Sequence, residues 1–393
     1  MTIGFDFRMG GSINAGIGRY SFELLCGLLS QNKSGHKFVV FYHEHNNSPE
    51  DIKKLEQLGA ELVPANFRHY SFGEQLLFPR LLAKFKLDLM HFPNFNVPIL
   101  YRSPYVVTIH DLVHHKLSGH KKARYWKYLA YKFIINRAIN NARRVITITE
   151  AARQEIQEHF PKAREQLTVI YEAPTRYSEQ GVDFEKIAKQ FLLERPYLLF
   201  VGTLERKKNT VLLAKGFDRF ISKYKYDIDL VIVGRDDPHY PEIRSEMLMI
   251  KHADNLVFTG FVADSVQATL YKNAFAFITA SLHEGFGLPG LEAMEYGVPV
   301  LAANTPVFNE VYDNAAIFFD ATNSEDIADK INLLVSDQPF YEEMQKKGLH
   351  RSNQFDWRLT AKKTLALYEE VTGSALPRRP NTVHQPEPEP EIE

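Results

Sequence analysis

Short runs of apolar, β-branched and aromatic residues recur along this chain and alternate with longer stretches of helical apolar spacing. Seven such runs precede residue 175 and six follow residue 195. Runs such as YVVTI (105–109) and RVITIT (144–149) are almost continuously apolar, which is typical of strands that are buried on both faces. Strands that alternate with helices predict an α/β fold with a mostly parallel sheet.

The strand pattern stops near residue 175 and restarts near residue 195, so we predict two doubly wound, Rossmann-like domains that face a cleft. The first domain would span 1–175, a polar linker 176–194, and the second domain 195–356. Helical apolar spacing predicts a last helix over 357–372, which we expect to return to the first domain. The proline- and glutamate-rich stretch 373–393 has no core pattern and is predicted to be disordered.

The composition is that of an ordinary soluble globular protein, with 45% hydrophobic and 24% charged residues in a chain of 393. The single cysteine, Cys26, excludes a disulfide within the chain and fits a reducing compartment. No apolar run reaches the roughly 18 residues that a membrane-spanning helix needs, and the N-terminal MTIGFDF does not look like a secretory signal. We therefore expect a cytoplasmic protein, with a peripheral position at the inner face of a membrane left open.

Charge is distributed unevenly between the two halves of the chain. Residues 1–149 carry 20 basic and 10 acidic residues, whereas residues 150–393 carry 27 basic and 38 acidic residues. No acidic residue lies between Asp111 and Glu150. This asymmetry predicts an anionic partner for the first half, such as a phosphate group or an anionic membrane that contacts residues 116–144; a solvated helix face is the alternative. We expect no nucleic acid partner.

The segment HEGFGLPGLE (283–292) follows an apolar run and precedes a helical pattern, which puts it at the carboxyl end of a predicted strand. A helix N-terminus offers free backbone N–H groups, and glycines let the backbone approach a phosphate closely. Glu284 and Glu292 are poor partners for a phosphate, but carboxylates are good acceptors for the hydroxyl groups of a sugar. This arrangement suits a nucleotide sugar as the ligand, although the segment taken alone favours an ordinary strand-to-helix corner with an acidic residue in the first helical turn.

Two further strand ends carry residues that suit phosphate chemistry. Arg206, Lys207 and Lys208 closely follow a predicted strand, where they could neutralise a diphosphate, although basic surface loops are also common. His110 and Asp111 end the run YVVTIHD, where both a functional and a structural role are open.

A glycine-rich turn follows the first predicted strand. Gly16 and Gly18 lie between that strand and the next helix, and Arg19 is in the first helical turn. The turn is similar to a phosphate-binding loop, but its spacing differs from the dinucleotide pattern G-x-G-x-x-G. A dinucleotide-dependent oxidoreductase is therefore disfavoured.

Taken together, these segments resemble the retaining glycosyltransferases of family four, which have the two-domain GT-B architecture, and more narrowly the mannosyltransferase-like enzymes that build surface polysaccharides. The most specific match is the pair Glu284 and Glu292, separated by seven residues in HEGFGLPGLEAMEYGVPV (283–300). The segments GIGRY, HDL, GTLERKKN, FTGFV and NEV match in order and spacing. The resemblance covers nearly the whole chain before the tail.

The resemblance implies that the first domain binds the acceptor and the second domain the nucleotide sugar. Glu292 would bind the ribose hydroxyls and Glu284 the transferred sugar. Lys208, with Lys207, would hold the diphosphate, and His110 would lie beside the anomeric centre and the acceptor. Glu284, His110 and Lys208 are thus the candidate catalytic residues. The remaining predicted substrate contacts are Gly16, Gly18, Arg19, Asp111, Thr203, Arg206, Gly285, Phe286, Gly287, Leu288 and Glu310.

Several positions depart from the family pattern. Arg206 and Lys207 stand where relatives usually have proline and then arginine, so the two-pronged guanidinium at position 207 is replaced by a point charge. Thr203 stands where many relatives also have arginine. Glu172 replaces the asparagine of a usual Asn-Gly turn, and Asn309 replaces a usual proline. These departures bear on the identity of the donor more than on the fold.

The implied reaction is the transfer of a hexose to a hydroxyl of a glycan or of a polyprenyl-diphosphate-linked glycan, with retention of the anomeric configuration. The resemblance favours GDP-mannose as the donor, followed by UDP-linked hexoses. No Asp-x-Asp motif or histidine cluster indicates a metal site, and we expect neither a metal nor a cofactor. A sugar-nucleotide epimerase of the same layout and a non-catalytic sugar-nucleotide-binding protein are the alternatives.

Overall fold

The computed structural model describes residues 1–11, 15–112, 122–177 and 182–373 and contains two parallel β-sheets flanked by helices. This confirms the predicted α/β fold class, and each strand of the described residues lies within one predicted apolar run. The strands of the first sheet are β1 (Thr2–Asp6), β2 (Lys37–Tyr42), β3 (Glu61–Pro64), β4 (Leu89–Phe92), β5 (Tyr105–Ile109), β6 (Arg144–Thr147) and β7 (Leu167–Val169). Those of the second sheet are β8 (Tyr197–Val201), β9 (Asp229–Val233), β10 (Leu256–Gly260), β11 (Ala276–Thr279), β12 (Val300–Ala303) and β13 (Ala316–Phe319).

The helices of the described residues divide in the same way. Those of the first part are α1 (Ala15–Ser30), α2 (Pro49–Gln57), α3 (Phe72–Leu82), α4 (Lys122–Asn141) and α5 (Glu150–His159). Those of the second part are α6 (Phe184–Phe191), α7 (Thr210–Tyr224), α8 (Glu242–Met247), α9 (Asp264–Asn273), α10 (Leu288–Glu295), α11 (Pro306–Tyr312), α12 (Ser324–Ser336) and α13 (Gln338–Ser352), and α14 (Trp357–Gly373) ends the described chain. We call the first sheet with α1–α5 the first lobe and the second sheet with α6–α13 the second lobe.

Burial explains why the apolar runs form inner strands. Every residue of β5 and of β9 is buried, because helices cover both faces of each sheet. Helix starts follow capping chemistry: the side chains of Ser48, Ser71 and Thr149 each accept a backbone N–H from the first turn of the helix that follows. Within the described residues, no helix combines the length and the apolar character that crossing a bilayer requires.

Strand order reverses once in each sheet. The first sheet runs β3-β2-β1-β4-β5-β6-β7 and the second runs β10-β9-β8-β11-β12-β13. The loops that follow β1 and β4, and likewise those that follow β8 and β11, therefore leave their sheet in opposite directions. Ligands of open α/β sheets bind in the crevice that such a reversal creates at the carboxyl ends of the strands. The loops after β8 and β11 carry Lys208 and Glu284.

The segment that we predicted as a linker contains a helix. α6 occupies residues 184–191 and buries Ile187. The hydroxyl of Thr269, in α9, donates to the carbonyl oxygen of Val182 at 3.0 Å. The helix therefore belongs to the second lobe, and the connection between the lobes is shorter than the composition suggested.

The last helix packs on the first lobe. The side chain of Gln31, just after α1, donates to the carbonyl oxygen of Arg358 at 2.9 Å, and Arg144 forms an ion pair with Glu370 at 2.6 Å. Tyr368 is completely buried. The chain thus passes from one lobe to the other twice. Residues 374–393 of the predicted disordered tail lie outside the described residues.

Candidate active site

The loop between β11 and α10 ends on Gly287, which has a backbone φ of 99°. A β-carbon at this position would collide with the side chains of Phe308 and Tyr312, so both the conformation and the space require glycine. The backbone N–H of Leu282 donates to the carbonyl oxygen of Lys207 at 2.8 Å. This bond ties the loop after β11 to the loop after β8, and the two candidate motifs form one unit.

Glu284 and Lys208 form an ion pair within this unit. Lys208 Nζ donates to Glu284 Oε1 at 2.5 Å, and the two side chains are only 18% and 15% exposed, with Glu284 the more exposed. Burial alone would raise the pKa of Glu284, but the charge and hydrogen bond of Lys208 lower it below its ordinary value. The site therefore holds one ionised carboxylate beside one ammonium group at the strand reversal.

Glu292 has a different environment. It lies in α10, is 2% exposed, and accepts a hydrogen bond from the Tyr271 hydroxyl at 2.9 Å. Its other oxygen lies 3.5 Å from a guanidinium nitrogen of Arg19 in the first lobe. Burial raises the pKa of Glu292 above its ordinary value, although Arg19 offsets part of this effect. Its charge is thus stabilised in part by the opposite lobe.

Arg19 contacts three segments of the chain: α9, α10 and the segment that precedes α6. Besides Glu292, it contacts Asp264 Oδ1 at 2.6 Å and the Tyr177 hydroxyl at 2.8 Å. Tyr177 also accepts a hydrogen bond from Gln267 at 2.7 Å. Burial would lower the pKa of Arg19, but its interactions with Tyr177, Glu292 and Asp264 raise it above its ordinary value. The predicted substrate contact at Arg19 therefore lies next to the predicted ribose-binding carboxylate.

His110 follows β5 and is fixed on both sides of its ring. Nδ1 lies 2.8 Å from Glu172 Oε1, and Nε2 lies 3.0 Å from the carbonyl oxygen of Pro93. A β-carbon on Gly285 would lie 2.9 Å from the carbonyl oxygen of His110, so the glycine-rich loop of the second lobe packs against His110. The structure thus brings together two segments that the sequence separates widely.

The negative charge of Asp111, in the first lobe, acts on Lys207 in the second lobe. The ammonium of Lys207 lies 3.4 Å from Glu205 Oε2. Burial would lower the pKa of Lys207, but the charges of Glu205, Glu284 and Asp111 raise it above its ordinary value. Asp111 is half-buried. Both residues therefore contribute to the field at the candidate site.

Arg206 and Thr203 lie in the same loop but have other partners. Arg206 is 63% exposed and forms an ion pair with Glu242 of α8. Thr203 is half-buried, and its carbonyl oxygen accepts the backbone N–H of Glu205 at 2.9 Å. The contact of each with a substrate stays a prediction.

The remaining predicted loop residues differ in accessibility. Phe286 is buried against the rings of Tyr171 and Phe355, and Leu288 is half-buried at the start of α10. Gly16 is exposed in the first turn of α1, with open space around the position of a β-carbon. Gly18 is buried, and its carbonyl oxygen accepts the Gly11 N–H at 2.9 Å. Part of the turn before them, residues 12–14, lies outside the described chain.

Glu310 joins the lobes through a helix end. Its two carboxylate oxygens accept the backbone N–H groups of Glu150 and Ala151, at 2.6 and 2.8 Å. These are the first residues of α5, where a negative charge is favoured by unpaired N–H groups and by the helix dipole. In the structure, both carboxylate oxygens of Glu310 are hydrogen-bonded to the first lobe. The predicted substrate contact at Glu310 stays a prediction.

Several residues of this region were not anticipated as parts of the site. Tyr177, Asp264 and Tyr271 surround Arg19 and Glu292, and their sequence contexts carry no motif that singles them out. Glu172 gave a signal, because it is an acid at a strand end where relatives usually have asparagine. No role followed from that signal until the contact with His110 was visible.

A cavity of about 600 Å³ lies away from this site. It is lined by His36, Asp88 and Arg143, at the amino ends of first-sheet strands, and by Glu369 of α14. Ligand chemistry in open α/β sheets belongs to the other edge. No three His, Cys, Asp or Glu side chains come together as metal ligands in the described ranges, and metal independence stays a prediction.

Comparison with protein families accounts for both lobes. Residues 15–173 match Glycosyltransferase Family 4, and residues 183–351 match Glycosyl transferases group 1. Between them, the two matches span most of the chain. The gap between the matches falls at the connection between the lobes.

Individual relatives agree with this assignment. O-antigen chain mannosyltransferase B of Escherichia coli is 25% identical over 376 residues, which cover 90% of this chain and 96% of that protein. Sucrose-phosphate synthase from Thermosynechococcus elongatus has a TM-score of 0.73 at 18% identity and covers 95% of this chain and 99% of its own. HepE from Anabaena, in complex with UDP and glucose, has a TM-score of 0.69 at 18% identity and covers 94% and 100%. The chain therefore belongs to the family four glycosyltransferases of GT-B fold and is mannosyltransferase-like.

Proposed function

We propose that the protein transfers a hexose from a nucleotide diphosphate sugar to a hydroxyl of a glycan or polyprenyl-diphosphate-linked acceptor. The preferred hexose in this proposal is mannose, and the anomeric configuration is retained. The observation that carries this proposal is the Lys208–Glu284 pair at the strand reversal of the second sheet. A cation there suits a departing diphosphate, and a carboxylate beside it suits sugar hydroxyls. The likeness to O-antigen chain mannosyltransferase B supports mannose.

Catalysis in this proposal depends on positioning and charge rather than on covalent chemistry. Lys208 and Lys207 stabilise the negative charge that develops on the leaving phosphate. Glu284 holds the transferred sugar, Glu292 holds the ribose, and His110 lies beside the anomeric carbon. The first lobe presents the acceptor, so the two reacting groups meet where the lobes touch.

A panel of nucleotide sugars tests the donor. We expect GDP-mannose to raise the melting temperature most, because a ligand that binds only the folded state stabilises it by mass action. Transfer to a mannose-terminated acceptor, followed by NMR of the new anomeric proton, gives the stereochemistry. Stabilisation by a UDP-hexose alone would change the donor, and the absence of any shift would contradict the transferase proposal.

The alternatives differ in their products. An epimerase would release a changed nucleotide sugar without any acceptor, and a binding protein would leave the donor intact. Transfer that depends on acceptor and continues in excess EDTA would support both the transferase and its independence from metal. A complete loss of transfer in EDTA that a divalent cation restores would overturn the independence from metal.

We also propose that the first lobe contacts an anionic membrane through residues 116–144, of which 122–141 form α4. Leu129, Lys132 and Phe133 are exposed on this helix. Phe72 of α3 is 90% exposed and lies with Leu76 and Leu77 in a second apolar patch. Residues 65–144 contain 14 basic and three acidic residues, and apolar side chains beside basic ones suit a surface of anionic lipid.

Co-sedimentation with vesicles tests this contact. We expect binding to vesicles that contain phosphatidylglycerol but not to purely zwitterionic ones. Replacement of Lys121, Lys122 and Arg124 by glutamine, or of Phe72 by serine, is expected to weaken it. Met249→Ser is the matched control, since Met249 is 80% exposed on the second lobe. Binding that does not depend on lipid charge and is unchanged by all these substitutions would contradict the proposal.

A further inference from the structure

The ring of His110 has a hydrogen-bond acceptor on each side. Nε2 faces the carbonyl oxygen of Pro93 at 3.0 Å, and a carbonyl oxygen can only accept. Nε2 must therefore carry a proton. Nδ1 faces Glu172 Oε1 at 2.8 Å, and an ionised carboxylate also can only accept. The geometry thus asks for a proton on both nitrogens, or else for a protonated Glu172.

The intrinsic proton affinities favour the first arrangement. Imidazole is a stronger base than a carboxylate, so a single shared proton belongs on the ring. Burial alone would lower the pKa of His110, but the hydrogen bond and charge of Glu172 raise it above its ordinary value. Asp111, next in the chain, adds a negative charge that acts in the same direction.

Among the residues that the structure describes, the other groups that pack against the ring are uncharged. The edge of the Tyr20 ring packs on it with centroids 4.6 Å apart, and the Tyr20 hydroxyl is 3.0 Å from Thr108 Oγ1. His91 is completely buried, and burial lowers its pKa to about 3. From the second lobe, the backbone of Gly285 packs against the His110 carbonyl. Glu172 is therefore the partner that decides the charge of the ring.

We propose that His110 is held as an imidazolium ion by Glu172 and that it serves the transfer reaction as a fixed cation instead of as a base. Both ring nitrogens are occupied, so neither has a lone pair with which to take the proton of the acceptor hydroxyl. Glu172 is a positioning residue, since it acts through His110. The role in transfer rests on the proposed function; the charge of the ring does not.

Glu172→Gln separates the charge from the shape of the pair. A glutamine amide can donate to Nδ1 of a neutral ring that keeps its Nε2 proton on Pro93. The variant should therefore preserve the fold while converting His110 to its neutral form. Glu172→Asp keeps the carboxylate and should keep the imidazolium. Glu370→Gln removes a carboxylate from an exposed ion pair with Arg144 and is the matched control.

NMR of histidine labelled with ¹⁵N in the ring measures the charge without any substrate. The chain has 15 histidines, and the signals of His110 are those that His110→Gln removes. We expect two protonated ring nitrogens at neutral pH in the wild type, in Glu172→Asp and in Glu370→Gln. In Glu172→Gln we expect one protonated nitrogen at neutral pH. The second nitrogen should become protonated only when the pH falls below about 6.5.

Transfer kinetics complete the test. Glu172→Gln should lower kcat by about ten- to hundredfold, the range for loss of a hydrogen bond to a charged group, with little change in Tm. Glu172→Asp should retain a kcat between those of Glu172→Gln and the wild type. A neutral His110 in the wild type, or an imidazolium that survives Glu172→Gln, overturns the proposal. If no donor is ever turned over but the imidazolium is seen, the proposed function fails and the charge assignment stands.

Discussion

Glu284 and Glu292 lie one loop apart at the same edge of the second sheet, yet their surroundings shift their pKa values in opposite directions. Glu284 is paired with Lys208 of its own lobe at 2.5 Å, and its pKa lies below the ordinary value. Glu292 is more deeply buried, its cationic partner Arg19 belongs to the first lobe at 3.5 Å, and its pKa lies above the ordinary value. One carboxylate is ionised by its own lobe, whereas the other depends on contact between the lobes.

Removing the local cation should have the largest effect. Lys208→Met leaves Glu284 buried without its partner and removes the charge that faces the leaving diphosphate, so we expect kcat to fall by about 10²–10³-fold. Initial-rate measurements with saturating donor check this. Lys223→Met, which breaks an ion pair with Glu325 and Asp329 at the surface, should leave kcat unchanged. Equal losses in both variants would contradict a special role for Lys208.

Neutralising the second carboxylate should weaken binding instead of chemistry. Glu292→Gln is expected to raise the Kd for the nucleotide by about ten- to hundredfold, because a hydrogen bond between charged carboxylate and ribose is lost. The free protein should become more stable at neutral pH, since burial disfavours the ionised form of Glu292. Calorimetric titration and Tm measure the two effects. A less stable Glu292→Gln protein would mean that Arg19 outweighs burial.

The pH dependence of stability should distinguish the two carboxylates. The pKa of Glu284 is lowered in the folded state, so its contribution is present above the unfolded pKa of about 4.3 and is lost as pH falls through the folded value. The pKa of Glu292 is raised, so its ionisation costs stability as pH rises through the folded value. As pH rises through the acid range to about pH 5, the Tm difference from wild type should therefore become more negative for Glu284→Gln. As pH rises from about 4 to 7, it should become more positive for Glu292→Gln. Parallel curves would contradict the comparison.

Arg19→Met tests the contact between the lobes and should have a smaller effect. It removes the cation next to Glu292 and Asp264, so nucleotide affinity should fall by about three- to tenfold, as for one partly exposed charge pair. Small-angle scattering should show a larger radius of gyration if this contact holds the lobes together. Arg153→Met breaks an ion pair within α5 and is the control.

Arg206→Ala should have the smallest effect. Its guanidinium is 63% exposed and paired with Glu242, and exposed ion pairs contribute about 0–1 kcal/mol. We expect kcat/KM to change by less than about threefold. A loss as large as that of Lys208→Met would show that Arg206 leaves Glu242 and turns to the donor.

Much of this arrangement could be predicted, since its signals are local. Buried strands have a compositional signature, so every strand of the described chain coincides with an apolar run. Parallel topology then fixes which edge carries ligand chemistry, and the residues after β8 and β11 could be chosen before their contact was seen.

Contacts between distant segments could not be predicted in this way. Neither the Arg19–Glu292 approach nor the hydrogen bond of His110 to Glu172 leaves a periodic signal, because each depends on how separate loops meet. The helix α6 was missed because its charged residues look like a linker, although Ile187 anchors it to the second lobe. The motif of Glu310 predicted a substrate contact, which stays a prediction; it did not reveal that the two carboxylate oxygens accept the first N–H groups of α5.

The return of α14 to the first lobe has a consequence for synthesis of the protein. Tyr368 supplies the hydroxyl that contacts His91 Nδ1 at 2.5 Å, and this helix is made roughly 200 residues after β7. At a ribosomal rate of about 5–20 residues per second, the first sheet waits on the order of 10–40 s for its covering helix. During that time the second lobe is synthesised, and the nascent first lobe exposes the side of α1 that α14 later covers. Chaperones that bind apolar surface should therefore recognise the earlier half of the chain for longer than the later half.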